Sequence, residues 1–319
     1  MKKVLVYWNI TDEQKAQIKK IADSFDYQTV FTTDMDLARE EAADAEIMFG
    51  TAIPPLKAAS ELKWFCSHSA GVNAYVVPGV LPNEECLLSN SSGAYGVTIA
   101  EHITMVSIMM MRSYAAYADI CATETWTHDV PMTSLHGCRI TMLGTGDIGT
   151  TFAKRVKSFE PAQINGVNRS GRKPDEIYDQ VVTWNELEKI LPETDLLVMS
   201  LPETPETIDI MNDKMIRLLP QGAYLVNVGR GTAIEEPALI AALNEGRLAG
   251  AALDVMKTEP MKLDDPLRSA KNIVLTPHTA GQMTLGYTRQ KSVDMFCEDL
   301  EAYLSGGQMK HLVDKKAGY

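Results

Sequence analysis

Cysteine is scarce and scattered in this chain of 319 residues: Cys66, Cys86, Cys121, Cys138 and Cys297 form an odd set without a CxxC pair. Such usage argues against a disulfide framework and against a zinc site, and it fits a reducing cytoplasm. Positive charge is also in deficit, with 30 Lys plus Arg against 42 Asp plus Glu and a net charge of −12. Nucleic acid and anionic lipid are thereby disfavoured as principal partners, because each demands a basic surface. An anionic ligand would have to be drawn in by local cations. No long apolar run is present: the most apolar stretch, 103–111, is closed by Glu101 and Arg112, well short of the ~20 residues that span a bilayer. The opening MKKVLVYWNITD is interrupted by Asn9 and Asp12 too early for a signal peptide. Repeats and low-complexity segments are lacking. What remains is ordinary globular composition, 45% hydrophobic and 23% charged, over roughly two domains' length.

Short β-like runs alternate with polar helical ones in the N-terminal third. VLVYW (4–8), EIMFG (46–50) and KWFCSH (63–68) read as strands, and 11–25 as an amphipathic helix capped by Thr11 or Asp12. The alternation predicts a parallel sheet covered on both faces. A break at NSSGAYG (90–96) precedes a Met-rich helix whose start is expected at Thr98, with Glu101 completing a capping box. Its methionines read as core or as a subunit interface. A second alternating region runs over about 96–284, with strands at 139–143, 163–168, 195–200, 223–228, 248–255 and 272–276. The closing segment reads as one amphipathic helix and a tail that can return to either domain. The fold class is α/β, two doubly wound parallel-sheet domains.

Gly144, Gly146 and Gly149 make a GxGxxG directly between a strand and a helix. The first glycine permits the tight turn, the second lets backbone approach a pyrophosphate, and the third lets helix and strand pack closely. The helix N-terminus then offers N–H groups to phosphate. An NAD site would place a carboxylate at the end of the next strand. Here that strand ends in Asn168, followed by Arg169, Ser170, Gly171, Arg172 and Lys173. Arginine pairs with a 2′-phosphate that a carboxylate would repel, so NADP is favoured and NAD remains usable.

Three further strands run into polar residues, the position at which open α/β sheets bind ligands. Arg230 follows the strand at 223–228, Glu259 follows 248–255, and His278 follows 272–276. Reducing a carbonyl by hydride needs a cation to hold the substrate and an acid to protonate the alkoxide. Arginine supplies the fork for a carboxylate, and histidine the proton, with a carboxylate beside it to favour its charged form. His68 and Tyr95 are secondary candidates for substrate contact. His102 follows Glu101 without an HExxH, and no metal is expected.

With GTGDIG, the VGRG of 228–231, the LDV of 253–255, the EP of 259–260 and the PHTAG of 277–281 in order, the sequence resembles the D-2-hydroxyacid dehydrogenases over nearly its whole length. The basic loop is similar to that of the NADPH-preferring glyoxylate/hydroxypyruvate reductase branch. The resemblance implies Arg230 as the ligand of the substrate carboxylate and carbonyl, His278 as proton donor and Glu259 as the residue that orients and charges it. It implies a substrate loop at Ser69–Asn73, with the amides of Ala70, Gly71 and Val72 on the carboxylate. Cofactor contacts are expected from Gly144, Gly146, Asp147, Ile148, Gly149, Asn168, Arg169, Ser170 and Val228, with Asp254 at the nicotinamide carboxamide. It also implies a split chain, with 1–95 and 285–319 as substrate domain around a cofactor domain at 96–284, and a homodimer paired through the Met-rich helix. The substrate is then a small 2-keto acid, reduced to the D-2-hydroxy acid. Two other readings stand beside this one: a dinucleotide-sensing corepressor or scaffold of the same fold, and a short NAD-dependent phosphoglycerate dehydrogenase-like enzyme. Two departures from the family pattern are Asn168-Arg169 in place of an Asp and Asn73 in place of the loop's usual Asp.

Overall fold

The computed structural model describes residues 2–123 and 126–316; the end of the expected tail, 317–319, lies outside the described residues. The chain divides into two compact units, the first made of Met1–Tyr95 with Met283–Tyr319 and the second of Gly96–Gln282.

The first unit carries a five-stranded sheet in the order β2-β1-β3-β4-β5, with β1 (Lys3–Tyr7), β2 (Gln28–Thr32), β3 (Ile47–Gly50), β4 (Trp64–Ser67) and β5 (Leu87–Asn90). Every pairing is parallel. Successive residues enter opposite cores: Val4 and Val6 join Trp64 and Cys66 in one cluster, while Leu5 joins Phe65 and Leu88 in the other. A strand buried on both faces must be apolar throughout, which is why these runs are continuous. Helix α1 (Asp12–Asp23) opens with a complete capping box, Thr11 Oγ1 accepting from Gln14 N at 3.3 Å and Gln14 Oε1 from Thr11 N at 3.0 Å. Two shorter helices follow, α2 (Met35–Ala42) and α3 (Ile53–Ala58).

In the second unit, seven parallel strands stand in the order β12-β11-β10-β9-β6-β7-β8. They are β6 (Arg139–Leu143), β7 (Gln163–Val167), β8 (Gln180–Val182), β9 (Leu196–Met199), β10 (Ala223–Asn227), β11 (Leu248–Leu253) and β12 (Ile273–Leu275). The helices of this unit are α4 (Gly96–Met111), α5 (Tyr114–Ala122), α6 (Asp147–Val156), α7 (Leu187–Ile190), α8 (Asp213–Leu218) and α9 (Glu236–Asn244). Helix α4 begins at Gly96, so Thr98 lies inside it and is not the expected N-cap. The carboxylate of Asp147 approaches Gly96 so closely that a Cβ there would meet its two oxygens at 2.6 and 2.7 Å. A negative charge at that end of the helix suits its dipole and makes a capping residue at 98 unnecessary.

The last helix, α10 (Gly286–Ser305), belongs to the first unit. Gln290 meets Gln14 and Gln17 of α1 at 3.0 and 3.1 Å, and Phe296 stacks on Phe49 with 4.2 Å between ring centroids. No helix among the described residues is long and apolar enough to cross a membrane.

Candidate functional site

The turn after β6 is shaped by close backbone contacts. Gly144 adopts φ +100, and a Cβ there would lie 2.9 Å from Ser200 Oγ. A Cβ on Gly149 would come 2.1 Å from the carbonyl oxygen of Gly144. Gly146 is the exception, with nothing within 4 Å of its missing Cβ. It is the N-cap of α6 and provides no side-chain cap, so the start of the helix at Gly146 leaves room of the kind a phosphate takes at a helix N-terminus. Asp147 uses its side chain elsewhere, against Gly96.

At the end of β7, Asn168 organises the loop that follows. Its Oδ1 accepts from Ser170 N at 3.1 Å and Gly171 N at 2.7 Å, and its Nδ2 donates to Thr145 Oγ1 and to the carbonyl of Arg172. This is an Asx turn, which a carboxylate-free side chain can make while also donating. Arg169, Ser170 and Arg172 stand exposed around it. Val228 is buried, its N–H bonded to the carbonyl of Met199 at 3.0 Å.

Arg230 sits on a turn built by buried Asn227, whose Oδ1 accepts from Gly229 N at 3.0 Å and whose Nδ2 donates to the Arg230 carbonyl at 2.9 Å. Gly231 is required by close packing, since a Cβ there would lie 2.0 Å from the carbonyl carbon of Met256. The guanidinium is half-buried, and its one hydrogen bond among the described residues runs from Nη1 to the neighbouring Gly229 carbonyl at 2.7 Å. Burial lowers the Arg230 pKa, and the carboxylates of Glu203 and Glu259 act to raise it. A largely unpartnered fork, held in place and partly desolvated, is what a planar carboxylate binds best.

His278 and Glu259 are paired: Nδ1 of the imidazole lies 2.7 Å from Oε2 of the carboxylate. Glu259 is itself fixed, its Oε1 accepting from Met256 N at 2.9 Å. An ionised carboxylate only accepts, so the proton of that bond is on Nδ1, and Nε2 is the nitrogen left to exchange a proton. The His278 backbone takes φ +53, a conformation an L-residue holds only when its surroundings impose it. Asp254 imposes it. Its carbonyl accepts from His278 N at 2.8 Å, Oδ1 accepts from Thr276 Oγ1 at 2.6 Å and Thr279 N at 2.8 Å, and Oδ2 accepts from Ala280 N at 2.9 Å. Thr276 also lies 3.4 Å from Nε2 of His102 on α4, and burial lowers the pKa of that histidine. Sequence reasoning did not single out Asn227, Thr276 or Glu203. The first two show only as polar ends of apolar runs, and their partners are apparent only once the turns are built.

In the first unit, the segment after β4 is pinned at its start. Ser69 N donates to Ser67 Oγ at 3.1 Å, and the Ala70 carbonyl accepts from Asn90 Nδ2 at 2.6 Å. Among the described residues the backbone N–H groups of Ala70, Gly71 and Val72 donate to nothing. Three successive free amides make a cradle for an anion. His68, immediately before, stacks on Trp8 with 4.2 Å between centroids, and burial drives its pKa down to about 4. Tyr95 braces that residue, its hydroxyl donating to the His68 carbonyl at 2.6 Å.

A glycine turn between strand and helix, an arginine and a carboxylate-paired histidine all stand at strand ends of one doubly wound sheet, the place where such sheets bind ligands. The chain belongs to the D-isomer specific 2-hydroxyacid dehydrogenases, the model of whose NAD binding domain matches residues 104–280. It is 33% identical to an uncharacterized protein of Corynebacterium melassecola over 88% of this chain and 92% of that one. It is 29% identical to a glyoxylate reductase of Thermofilum pendens over 86% of this chain and 78% of the relative. Among solved structures, a D-isomer specific 2-hydroxyacid dehydrogenase family protein from Aeromonas salmonicida superposes with a TM-score of 0.85 at 28% identity, covering 98% of this chain and 99% of that one.

Proposed function

We propose that the protein reduces a small 2-keto acid to the D-2-hydroxy acid, with NADPH preferred over NADH. The observation that carries this reading is the company Arg230 keeps. A half-buried guanidinium bonded, among the described residues, only to Gly229 shares one set of strand ends with a histidine whose Nδ1 is committed to Glu259. When bound, the dinucleotide supplies the hydride. Arg230 takes the substrate carboxylate and polarises its carbonyl, which makes the carbon a better acceptor. Nε2 of His278 delivers a proton to the developing alkoxide, and Glu259 compensates the imidazolium charge. Asp254 holds the His278 turn in its left-handed conformation and would meet the nicotinamide carboxamide when the cofactor is bound. In the first unit, the amides of Ala70, Gly71 and Val72, which donate to nothing among the described residues, make a cradle of the kind that takes an anion. The glycine turn from Gly144 to Gly149, including Asp147 and Ile148, with Val228 beside it, serves the dinucleotide.

Preference for NADPH rests on Arg169, Ser170 and Arg172 around the Asn168 turn. Likeness to a glyoxylate reductase supports a small keto acid as substrate. A homodimer paired through the Met-rich α4 is part of the proposal, and Met105 on that helix is 47% exposed; the solution mass tests it, and a monomer contradicts it.

The test is a panel of initial rates with NADPH and NADH against glyoxylate, hydroxypyruvate, pyruvate, 2-oxoisocaproate and phenylpyruvate. Faster turnover with NADPH on at least one keto acid supports both parts of the reading. Faster turnover with NADH keeps the reaction and removes the role of the basic loop. Tight dinucleotide binding without turnover overturns the reaction and favours a sensing protein of this fold.

A further inference from the structure

The residues proposed for the reaction leave one nearby carboxylate without a role. Glu203 follows β9 on a segment that runs against the Arg230 turn: the missing Cβ of Gly229 would lie 2.5 Å from the backbone nitrogen of Leu201 and 2.6 Å from its carbonyl oxygen. Two residues past Leu201 and three past Gly229, Thr232 Oγ1 donates to Glu203 Oε2 at 2.7 Å. The threonine fixes that carboxylate beside the arginine turn, and among the described residues Glu203 forms no salt bridge that would neutralise it. Continued pairing of the two segments, with Asp209 N on the Thr232 carbonyl at 2.8 Å and Met211 N on that of Ala233 at 3.0 Å, keeps the arrangement rigid.

We infer that Glu203 is a specificity-determining residue that selects substrates carrying a single negative charge and rejects 2-keto acids with a second carboxylate or a phosphate. The inference rests on the keto-acid reading above. The charge count makes the argument. Arg230 contributes one positive charge and Glu203 one negative, while Glu259 and a protonated His278 cancel. One substrate carboxylate already exceeds what the arginine offers, because Glu203 stands next to it. A second anionic group meets the same field, and these four residues offer no further cation to receive it; in a partly desolvated site that repulsion is only weakly screened. Specificity of this kind comes from the repulsive element as much as from the attractive one. The field acts on every charge of the ligand, so a dianion feels Glu203 twice where a monoanion feels it once.

The experiment compares kcat/KM for pyruvate with that for oxaloacetate and 2-oxoglutarate in the wild-type enzyme and in Glu203→Gln. The glutamine keeps an acceptor for Thr232 and removes the charge. A ratio measured within one variant does not depend on the fraction folded. Wild type should favour pyruvate, and the variant should raise the dicarboxylate-to-pyruvate ratio by roughly three- to tenfold while the KM for NADPH stays unchanged. An unchanged ratio overturns the inference, as does an effect confined to the KM for NADPH, which would assign Glu203 to the cofactor. If the wild type reduces none of the three acids nor any acid of the rate panel, the keto-acid reading itself fails.

Discussion

Gly149 packs onto Gly144 so closely that the smallest side chain would place its carbon 2.1 Å from a carbonyl oxygen, whereas the Cβ missing from Gly146 would meet nothing within 4 Å. The two glycines therefore differ: Gly149 is required by the packing of the turn, and Gly146 leaves the room that the proposed dinucleotide would take. Gly149→Ala is expected to lower the melting temperature markedly, by a few kcal/mol of overpacking, and to lose dinucleotide binding with it. Gly146→Ala should melt within a degree or two of the parent and weaken NADPH binding by tenfold or more, on the order of one blocked phosphate contact. Thermal melts with and without NADPH separate the two, and equal loss of stability in both variants would contradict the assignment.

Removing positive charge beside Asn168 tests the cofactor preference. The double substitution Arg169→Ala with Arg172→Ala should raise the KM for NADPH by about 10- to 100-fold, the worth of one or two charge-assisted contacts, and leave the KM for NADH nearly unchanged. Equal effects on both dinucleotides would mean that the loop is only a solvated surface.

His68 gives the first unit a pH dependence. Its pKa is driven from 6.5 in an open chain to about 4 by burial against Trp8. Between these values the unfolded chain binds the proton and the folded one does not, so stability is complete above about pH 6.5 and falls as pH drops towards 4, by at most ~3 kcal/mol. His68→Phe, which keeps a ring on Trp8 and cannot titrate, should flatten that slope in urea unfolding measured from pH 7 to 4. An unaltered slope would contradict it.

Much of the site was legible because its residues stand where apolar runs give way to polar ones: VNVGR, LDV and VLTPH each mark a strand end. The sheets were legible for a related reason, since strands buried on both faces are apolar at every position. Three of the four edge strands were not, β12 being the exception. β2 is only partly buried along QTVFT, β8 is three residues long, and β5 hides polar Ser89 and Asn90 in its interior. Those two are tolerated because Trp64 Nε1 donates to Ser89 Oγ at 2.8 Å and Asn90 donates to Ala70, partners that lie far off in sequence. The start of α4 was misplaced for the same kind of reason: Asp147, fifty-one residues downstream of Gly96, supplies the charge that a local capping box would otherwise have supplied. Asp254 reads in the sequence as a cofactor ligand alone, and its clamp on Thr276, Thr279 and Ala280 becomes apparent only in three dimensions.

The central claim is that His278 gives the proton that completes reduction. The direct measurement is the steady-state rate of NADPH oxidation with the best keto acid of the panel by wild type and by His278→Ala, alongside the NADPH affinity of each by cofactor fluorescence. The account predicts unchanged affinity and a rate lower by ~10²–10⁴-fold in the variant. Turnover at the wild-type rate without His278 would contradict it.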